Sequence, residues 1–333
     1  KLAGAKCIVN YGFHFGATAD NFDEIKKARN VAAVKVYMGS STGDLLVTDE
    51  KALDEIFGSG KMVMAHAENE AMIKANEEKY RGSSDGAQLH LKIRENAAAA
   101  KEVERAIAIG RKRSTKLHIC HISTKEEASM VASAKKEHNL LSCEVTPHHL
   151  FLTADSETAA NLGNYVKVNP PLRAKEDVAA LWKAVSEGVI DMIATDHAPH
   201  LQKEKEQGYW NAPSGVPGLQ TMMPLMLDAV NKGRVSLRQL IKLTSENPAA
   251  IFRIRGKGRI AVGMDADVTV VDLKEEKTIK NKDMLNKCGW TPFDGWKVKG
   301  TVAATIVNGK IIYGSGQITD EKTKGKEVMF NGD

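Results

Sequence analysis

Short apolar runs alternate along the chain with longer amphipathic stretches. Six of the apolar runs have the length of β-strands and lie at residues 6–11, 32–37, 61–66, 116–121, 140–146 and 189–195. Helices are predicted at residues 22–29, 50–57, 68–81, 94–113, 124–137, 176–187 and 219–231. This alternation is typical of parallel strands that are joined by helical crossovers.

Two architectures fit the alternation, an open doubly wound sheet and a closed barrel. No glycine-rich phosphate turn follows the first predicted strand, which weakens the dinucleotide-binding version of the open sheet. Lys35 lies within its predicted strand, whereas His66, His121 and Asp196 lie at or just past strand ends. Because barrels carry their chemistry at the C-terminal ends of the strands, we predict an α/β fold with a TIM-type (β/α)8 barrel.

The composition changes after Pro248. Residues 256–273 and 299–316 are rich in Val, Ile, Thr and Gly, and the Asn308-Gly309 pair between apolar runs is a strong hairpin signal. We therefore predict a barrel in residues 1–255 and the C-terminal part of a small β-sandwich domain in residues 256–333.

The bulk properties argue against several classes of protein. Hydrophobic residues make up 42% of the 333 residues and charged residues 27%, as in ordinary globular proteins. The formal charge of +5 is spread along the chain, and no apolar run could span a bilayer, so neither nucleic acid nor membrane is an expected partner. The four cysteines show no paired spacing, which favours a reducing compartment and a cytoplasmic location.

Residues that bind divalent metals stand at the ends of three predicted strands. Asp196 follows an apolar run, where a carboxylate is costly unless it meets a positive charge, although a helix cap is an alternative. His66 and His121 end two other strands, and we prefer His121 to His118 because it lies nearer the strand end. Neutral imidazoles and a carboxylate are the ligands expected for zinc or a similar ion.

Lys35 lies in an apolar run, residues 31–38. Burial would lower its pKa and raise the fraction of neutral amine, which can add carbon dioxide to form a carbamate able to bridge two metal ions. The alternative is a lysine whose ammonium reaches water at the strand end. On the evidence of this strand alone, the alternative is favoured.

Taken together, these segments resemble the amidohydrolase superfamily and, within it, the dihydroorotases of the class that includes hydantoinases and allantoinases. The matching segments lie at residues 34–39, 65–68, 118–121, 144–149, 167–173, 195–200, 214–219 and 256–267. Two of them, 195–200 and 169–173, resemble dihydroorotases in particular.

The resemblance implies roles for individual residues. The metal-binding positions of the family correspond to Lys35, His66, His121 and Asp196. The substrate-binding positions correspond to Asn169, His200 and the backbone at Ser214 and Gly215. A carbamylated Lys35 would bridge the metals, and Asp196 would double as the general base. One or two Zn²⁺ ions per chain are implied as the cofactor, while His148 and His149 are interpreted as structural and His197 is left open.

The activity implied is the reversible, metal-dependent hydrolysis of L-dihydroorotate, a small-molecule substrate, to N-carbamoyl-L-aspartate in pyrimidine biosynthesis. A hydantoinase or dihydropyrimidinase type of cyclic amidase is the first alternative. A catalytically silent scaffold protein is the second. We also expect a homo-oligomer, with aspartate transcarbamoylase as a candidate partner.

One part of the family pattern is missing. The first barrel strand of the family carries a His-X-His pair, and this sequence contains no His-X-His. The run at 6–11 corresponds to the third strand of the family barrel, so we expect the first strands to be absent from this chain. The chain alone is then expected to lack a full two-metal site and to be inactive. Two further segments, 42–47 and 202–211, are candidate loops over the site.

Overall fold

The computed structural model describes residues 1–41, 43–83 and 86–331. Thr42, the first residue of one candidate loop, and the last two residues of the predicted β domain therefore lie outside the described residues. The second candidate loop begins as a helix at Gln202–Lys205 and continues as turns. No helix in the described ranges is long and apolar enough to cross a membrane.

A parallel sheet runs through the first two thirds of the chain, with its strands in sequential order. Its strands are Phe15–Gly16 (β1), Val34–Tyr37 (β2), Val63–His66 (β3), Leu117–Ile119 (β4), Leu141–Val145 (β5) and Met192–Ile193 (β6). The register places Lys35 of β2 between Gly16 of β1 and Met64 of β3. Five of the six predicted strands are confirmed.

The first predicted strand, at 6–11, is wrong. Leu2–Lys6 forms a short helix, and Phe15–Gly16 is the strand that pairs with β2. The backbone of residues 7–11 instead bonds to the C-terminal segment, since the Tyr11 N–H donates to Lys326 and the Gly325 N–H to Cys7. This apolar run is not part of the parallel sheet because its backbone pairs with a segment more than 300 residues later in the chain.

Helices follow the strands and cover the sheet. They are Leu2–Lys6 (α1), Phe22–Lys27 (α2), Glu50–Phe57 (α3), Glu70–Lys79 (α4), Gly86–Ile93 (α5), Asn96–Arg113 (α6), Lys125–Ala134 (α7), Pro147–Phe151 (α8), Glu157–Leu162 (α9), Lys175–Ser186 (α10), Gln202–Lys205 (α11), Leu219–Asn231 (α12), Leu237–Ile241 (α13) and Asn247–Ile251 (α14). Strands β3 and β5 are buried on both faces, which is the pattern of parallel strands covered by helices.

A separate antiparallel sheet lies in the C-terminal part of the chain. Its strands are Val268–Thr278 (β7), Lys297–Val307 (β8), Lys310–Gly314 (β9) and Gln317–Ile318 (β10), in the order β10-β9-β8-β7. Asn308 and Gly309 both have positive φ and join β8 to β9, so the predicted hairpin is confirmed. The domain boundary between residues 255 and 256 stays a prediction.

Candidate active site

Two buried histidines face each other at the C-terminal edge of the parallel sheet. His66 ends β3 and His121 follows β4, and His66 Nδ1 lies 3.0 Å from His121 Nε2. Burial lowers the pKa of both rings, that of His121 well below its ordinary value, so both imidazoles are neutral at pH 7. Two nitrogens bound to one tetrahedral zinc would be about 3.3 Å apart, so this pair fits a shared metal ion.

A buried ion pair lies behind His66. Glu68 Oε2 is 3.0 Å from His66 Nε2 and 2.5 Å from Arg94 Nη1, and all three side chains are buried. Burial opposes the ionisation of Glu68, but Arg94 and His66 outweigh it and lower the pKa of this carboxyl to about 2. The carboxylate favours the proton on His66 Nε2, which leaves the Nδ1 lone pair directed at His121.

Lys35 is protonated, and its hydrogen-bond partner is the thiol of Cys120. Burial alone would lower its pKa, but the Cys120 thiol at 2.8 Å, Tyr37 and Glu144 outweigh burial, and the pKa is raised. Lys35 is therefore an ammonium, as the favoured interpretation of this strand expects, and its conversion to a carbamate stays a prediction. Burial also raises the pKa of Cys120 to about 12, so the partner of this ammonium is a thiol.

Asp196 lies three residues past the end of β6 and is open to solvent, with φ at 43°. Protein atoms still surround much of its carboxylate, and this desolvation raises its pKa against the opposing effects of Lys35 and His66. The next helix in the chain, α11, has Leu201 at its N-cap. Asp196 therefore does not cap that helix, which removes the alternative interpretation of this residue.

His118 points away from the histidine pair. Its Nδ1 lies 2.8 Å from Ser142 Oγ and its Nε2 lies 3.1 Å from Glu144 Oε2, and all of these groups are buried. Both ring nitrogens of His118 thus have protein partners on β5. This arrangement agrees with the preference for His121 over His118.

The segments that carry the implied substrate-binding positions contact one another. His200 Nε2 lies 3.1 Å from the carbonyl oxygen of Ser214, and Gly215 N donates to the carbonyl oxygen of Lys167 at 2.9 Å. Gly215 has φ at 142°, and a Cβ there would lie 2.7 Å from Ala198 and 3.0 Å from His200 Nε2. Only glycine fits this close approach of the 214–215 loop to the 198–200 segment.

The two histidines of the 144–149 segment, His148 and His149, are both buried, and their structural interpretation stays a prediction. His149 Nδ1 lies 2.7 Å from Thr146 Oγ1 and its Nε2 lies 3.0 Å from the carbonyl oxygen of Pro170. His148 is buried, and burial lowers its pKa well below the ordinary value. His197 Nδ1 accepts from the Gly218 N–H at 3.0 Å, where α12 begins.

The four implied metal-binding residues are only partly assembled. Within the described ranges, no group of three or more His, Cys, Asp or Glu side chains is placed to hold a metal ion. The structure brings His66 and His121 together and hydrogen-bonds Lys35 to Cys120, and the charges of Lys35 and His66 act on the Asp196 carboxylate.

Residues 16–312 match the Amidohydrolase family. The chain belongs to the amidohydrolase family. It is 39% identical to the dihydroorotase of Methanosarcina mazei over 347 residues, which is all of this chain and 75% of that protein. It is 37% identical to the dihydroorotase of Pyrococcus furiosus, over 90% of this chain and 65% of that protein.

Solved structures of this family are similar as well. The L-hydantoinase (dihydropyrimidinase) from Arthrobacter aurescens has a TM-score of 0.92 and 30% identity, over 98% of this chain and 75% of that chain. The inactive dihydroorotase-like domain of the CAD-like multifunctional protein from Chaetomium thermophilum has a TM-score of 0.68 at 17% identity, which shows the fold alone. The prediction of a TIM-type barrel with a small β domain is confirmed.

Several polar residues of this amidohydrolase site were not predicted from the sequence. Glu68 stands in the segment 65–68, two residues after His66, and that spacing was an available signal. Arg94 and Cys120 carried no signal, because their roles depend on contacts with Glu68 and Lys35 across the sheet.

Lys205 is another residue that the sequence did not single out. It is fully buried, and its ammonium donates to the carbonyl oxygens of Lys167, Pro213 and Gly215 at 3.1, 2.9 and 3.0 Å. These three bonds attach the loop that carries Ser214 and Gly215 to the segment before Asn169.

Proposed function

We propose that this chain has the function of a dihydroorotase, the reversible hydrolysis of the cyclic amide of L-dihydroorotate to N-carbamoyl-L-aspartate, in pyrimidine biosynthesis, although the chain alone, without a His-X-His pair, is expected to be inactive. The observation that carries the proposal is the 35–39% identity to proteins named dihydroorotase over most of the chain. The paired neutral imidazoles of His66 and His121 support a metal-dependent form of that chemistry.

A cyclic amidase of the hydantoinase type is the second candidate. The L-hydantoinase from Arthrobacter aurescens has a TM-score of 0.92 against this chain, which favours the same general reaction on a related ring. The two candidates differ in the substrate carboxylate, which dihydroorotate carries and a simple hydantoin or dihydropyrimidine lacks. Asn169, His200 and the backbone of Ser214 and Gly215 are proposed to bind that carboxylate and the ring.

His66 and His121 would hold one Zn²⁺ ion, with Asp196 and a carbamylated Lys35 as further ligands. Bound there, the metal would supply Lewis-acid activation of water and of the amide carbonyl. Glu68 keeps the proton of His66 on Nε2, so that Nδ1 is free to act as a ligand. Lys35 must lose its proton before it can become a carbamate, and it would then give up its hydrogen bond to Cys120.

Asp196 is proposed as the general base. Its carboxylate is open to the solvent at the C-terminal edge of the sheet, where a water and a substrate can reach it. Desolvation raises its pKa, which makes it a better proton acceptor than a fully solvated aspartate. It would take the proton of the attacking water and pass it to the ring nitrogen when the amide bond breaks.

The test compares three substrates and measures zinc directly. A zinc-loaded protein with a complete metal site is expected to open L-dihydroorotate faster than hydantoin or dihydrouracil, and a chelator should abolish the activity until zinc is restored. Preference for hydantoin would favour the second candidate. Zinc binding without turnover of any ring would favour the silent scaffold.

Two matched variants distinguish the loss of a metal ligand from a general loss of structure. His121→Asn keeps a residue that tolerates the left-handed backbone and is expected to lower the zinc content of the purified protein. His138→Asn changes a histidine far from the pair and should leave the zinc content unchanged. Equal zinc in both variants would contradict the assignment of His121.

A cytoplasmic location, a homo-oligomer and an aspartate transcarbamoylase partner stay predictions.

A further inference from the structure

The side-chain amide of Asn169 has a hydrogen-bond partner at its oxygen and none at its nitrogen among the described residues. Its Oδ1 lies 2.9 Å from Nε2 of His90, a buried residue of α5. In the part of the chain that the structure describes, Asn169 Nδ2 has no hydrogen-bond partner, and it is not among the atoms enclosed by protein. The direction in which this amide points therefore depends on what His90 presents to it.

The contacts of His90 fix the position of its proton. Nε2 also lies 3.0 Å from the carbonyl oxygen of Val168, which can only accept a hydrogen bond, so Nε2 carries a proton. Burial and the positive charges of Arg94 and Lys167 lower the pKa of this ring to about 3, so it is neutral and has one N–H. Nδ1 must therefore accept from the Tyr209 hydroxyl, which lies 2.7 Å away.

Tyr209 itself contacts Lys167, two residues before Asn169. It is 8% exposed, and its carbonyl oxygen accepts from Lys167 Nζ at 2.7 Å. The same ammonium lies 4.4 Å from the centre of the Tyr209 ring. Contacts thus connect Lys167 to Tyr209, Tyr209 to His90 and His90 to Asn169.

We propose that His90 and Tyr209 are positioning residues that hold Asn169 as a hydrogen-bond donor toward the substrate. Because Oδ1 is engaged by the His90 N–H, the amide presents its NH₂ group to the site. This position then selects a carbonyl or carboxylate oxygen of the ring compound and disfavours a ring N–H. The inference rests on the proposed function, since it concerns how that substrate is recognised.

The tautomer of His90 can be measured without any substrate. In protein with ¹⁵N-labelled histidine, the imidazole nitrogens report which of them carries the proton, and the His90 signals are those lost in His90→Gln. We expect a neutral ring with a protonated Nε2 and an unprotonated Nδ1 at pH 7. A proton on Nδ1, or a doubly protonated ring, would overturn the inference.

Kinetics of three variants test the consequence for the substrate. His90→Leu frees the Asn169 amide and is expected to raise KM for L-dihydroorotate by about tenfold or more, with kcat within about threefold of the parent protein. His90→Gln retains an N–H donor and should keep KM within about threefold of the parent protein. Tyr209→Phe should raise KM less than His90→Leu, because Val168 still holds the proton on Nε2.

A matched control is Tyr165→Phe, which removes a hydroxyl that bonds to the exposed Glu206 outside this set of contacts and should leave KM unchanged. A KM for His90→Gln as high as that for His90→Leu would overturn the inference, because the donor would then be irrelevant. If the parent protein does not open dihydroorotate while the NMR result holds, the proposed function fails and the donor orientation of Asn169 stands.

Discussion

Replacing Glu68 with glutamine would remove one charge of the buried ion pair that lies behind the candidate metal ligand His66. The carboxylate contacts His66 Nε2 at 3.0 Å and Arg94 Nη1 at 2.5 Å, and Glu68 and Arg94 are 0% and 5% exposed. Glutamine keeps the size and one oxygen of the side chain. The substitution therefore changes the charge far more than the packing.

The expected loss of stability follows from the burial of the pair. Removing one partner of a buried ion pair costs about 3–5 kcal/mol, because the remaining charge stays buried without compensation. We expect a loss near the lower end, about 3 kcal/mol, since the glutamine oxygen can still accept from Arg94. The neutral side chain should also hold the His66 tautomer less firmly and lower the zinc affinity by about 10-fold to 100-fold.

The assay is a double-mutant cycle on the metal-free protein. Urea unfolding of Glu68→Gln, Arg94→Met and the double variant gives the coupling between the two side chains, with the Ser40 contacts of Arg94 cancelling in the cycle. We expect the double variant to be less destabilised than the sum of the single variants by about 1–3 kcal/mol. Glu78→Gln, which breaks an exposed pair with Arg81, is the control and should cause no measurable loss.

Two results would refute this reasoning. Additive losses in the cycle would mean that Glu68 and Arg94 stabilise the fold separately, through packing and not through their charges. An unchanged zinc affinity in Glu68→Gln would mean that the carboxylate does not orient His66 as a ligand.

Three further predictions concern residues around the site and the β domain. Lys205→Met leaves the carbonyl oxygens of Pro213 and Gly215 without their donor, while that of Lys167 keeps the Gly215 N–H, so it should cost about 2–4 kcal/mol and speed hydrogen exchange in residues 206–216, whereas the exposed Lys203→Met should do neither. Trp290→Phe removes the 2.8 Å bond from the indole N–H to the His200 carbonyl oxygen, and urea unfolding should show a loss of about 1–2 kcal/mol. Burial opposes ionisation of Asp267, but its hydrogen bonds and Lys257 outweigh burial and lower its pKa. The ionised carboxylate therefore stabilises the folded protein at pH values above the unfolded-state pKa, and this stabilisation is lost as the pH falls through the folded-state pKa. The stability difference between the parent protein and Asp267→Asn should therefore shrink between about pH 6 and about pH 3.

The strand and helix pattern could be predicted where local periodicity decides it. The helices at 50–57 and 219–231 were predicted with the observed bounds, because their apolar faces and flanking residues are local signals. Strand β1 was missed, since Phe15–Gly16 is two residues long and contains a glycine. The apolar run at 6–11 gave a false strand because its true partner, residues 325–328, is distant in sequence.

The residues of the candidate site also differ in whether local sequence signals could predict them. Residues at strand ends, such as His66 and His121, could be predicted because parallel strands bring their C-terminal ends to one edge. The Cys120 partner of Lys35 could not be predicted, because Cys120 follows β4, 85 residues later in the chain. The contacts of His90 with Tyr209 span 119 residues and involve a short helix and a turn, which have no periodic pattern to connect them.

Backbone strain supports a chemical role for two of the strand-end residues. His121 has φ at 30° and Asp196 has φ at 43°, in a region that glycine occupies without steric cost and other residues occupy at about 1–3 kcal/mol. Glycine at either position would relieve that strain, yet one position holds an imidazole that faces His66 and the other a carboxylate open to the site. Neither side chain adds apolar packing that would offset the strain, since His121 is a buried neutral ring with a polar partner and Asp196 is exposed. The simplest account of both is that the ring nitrogen and the carboxylate are needed where the strained backbone places them.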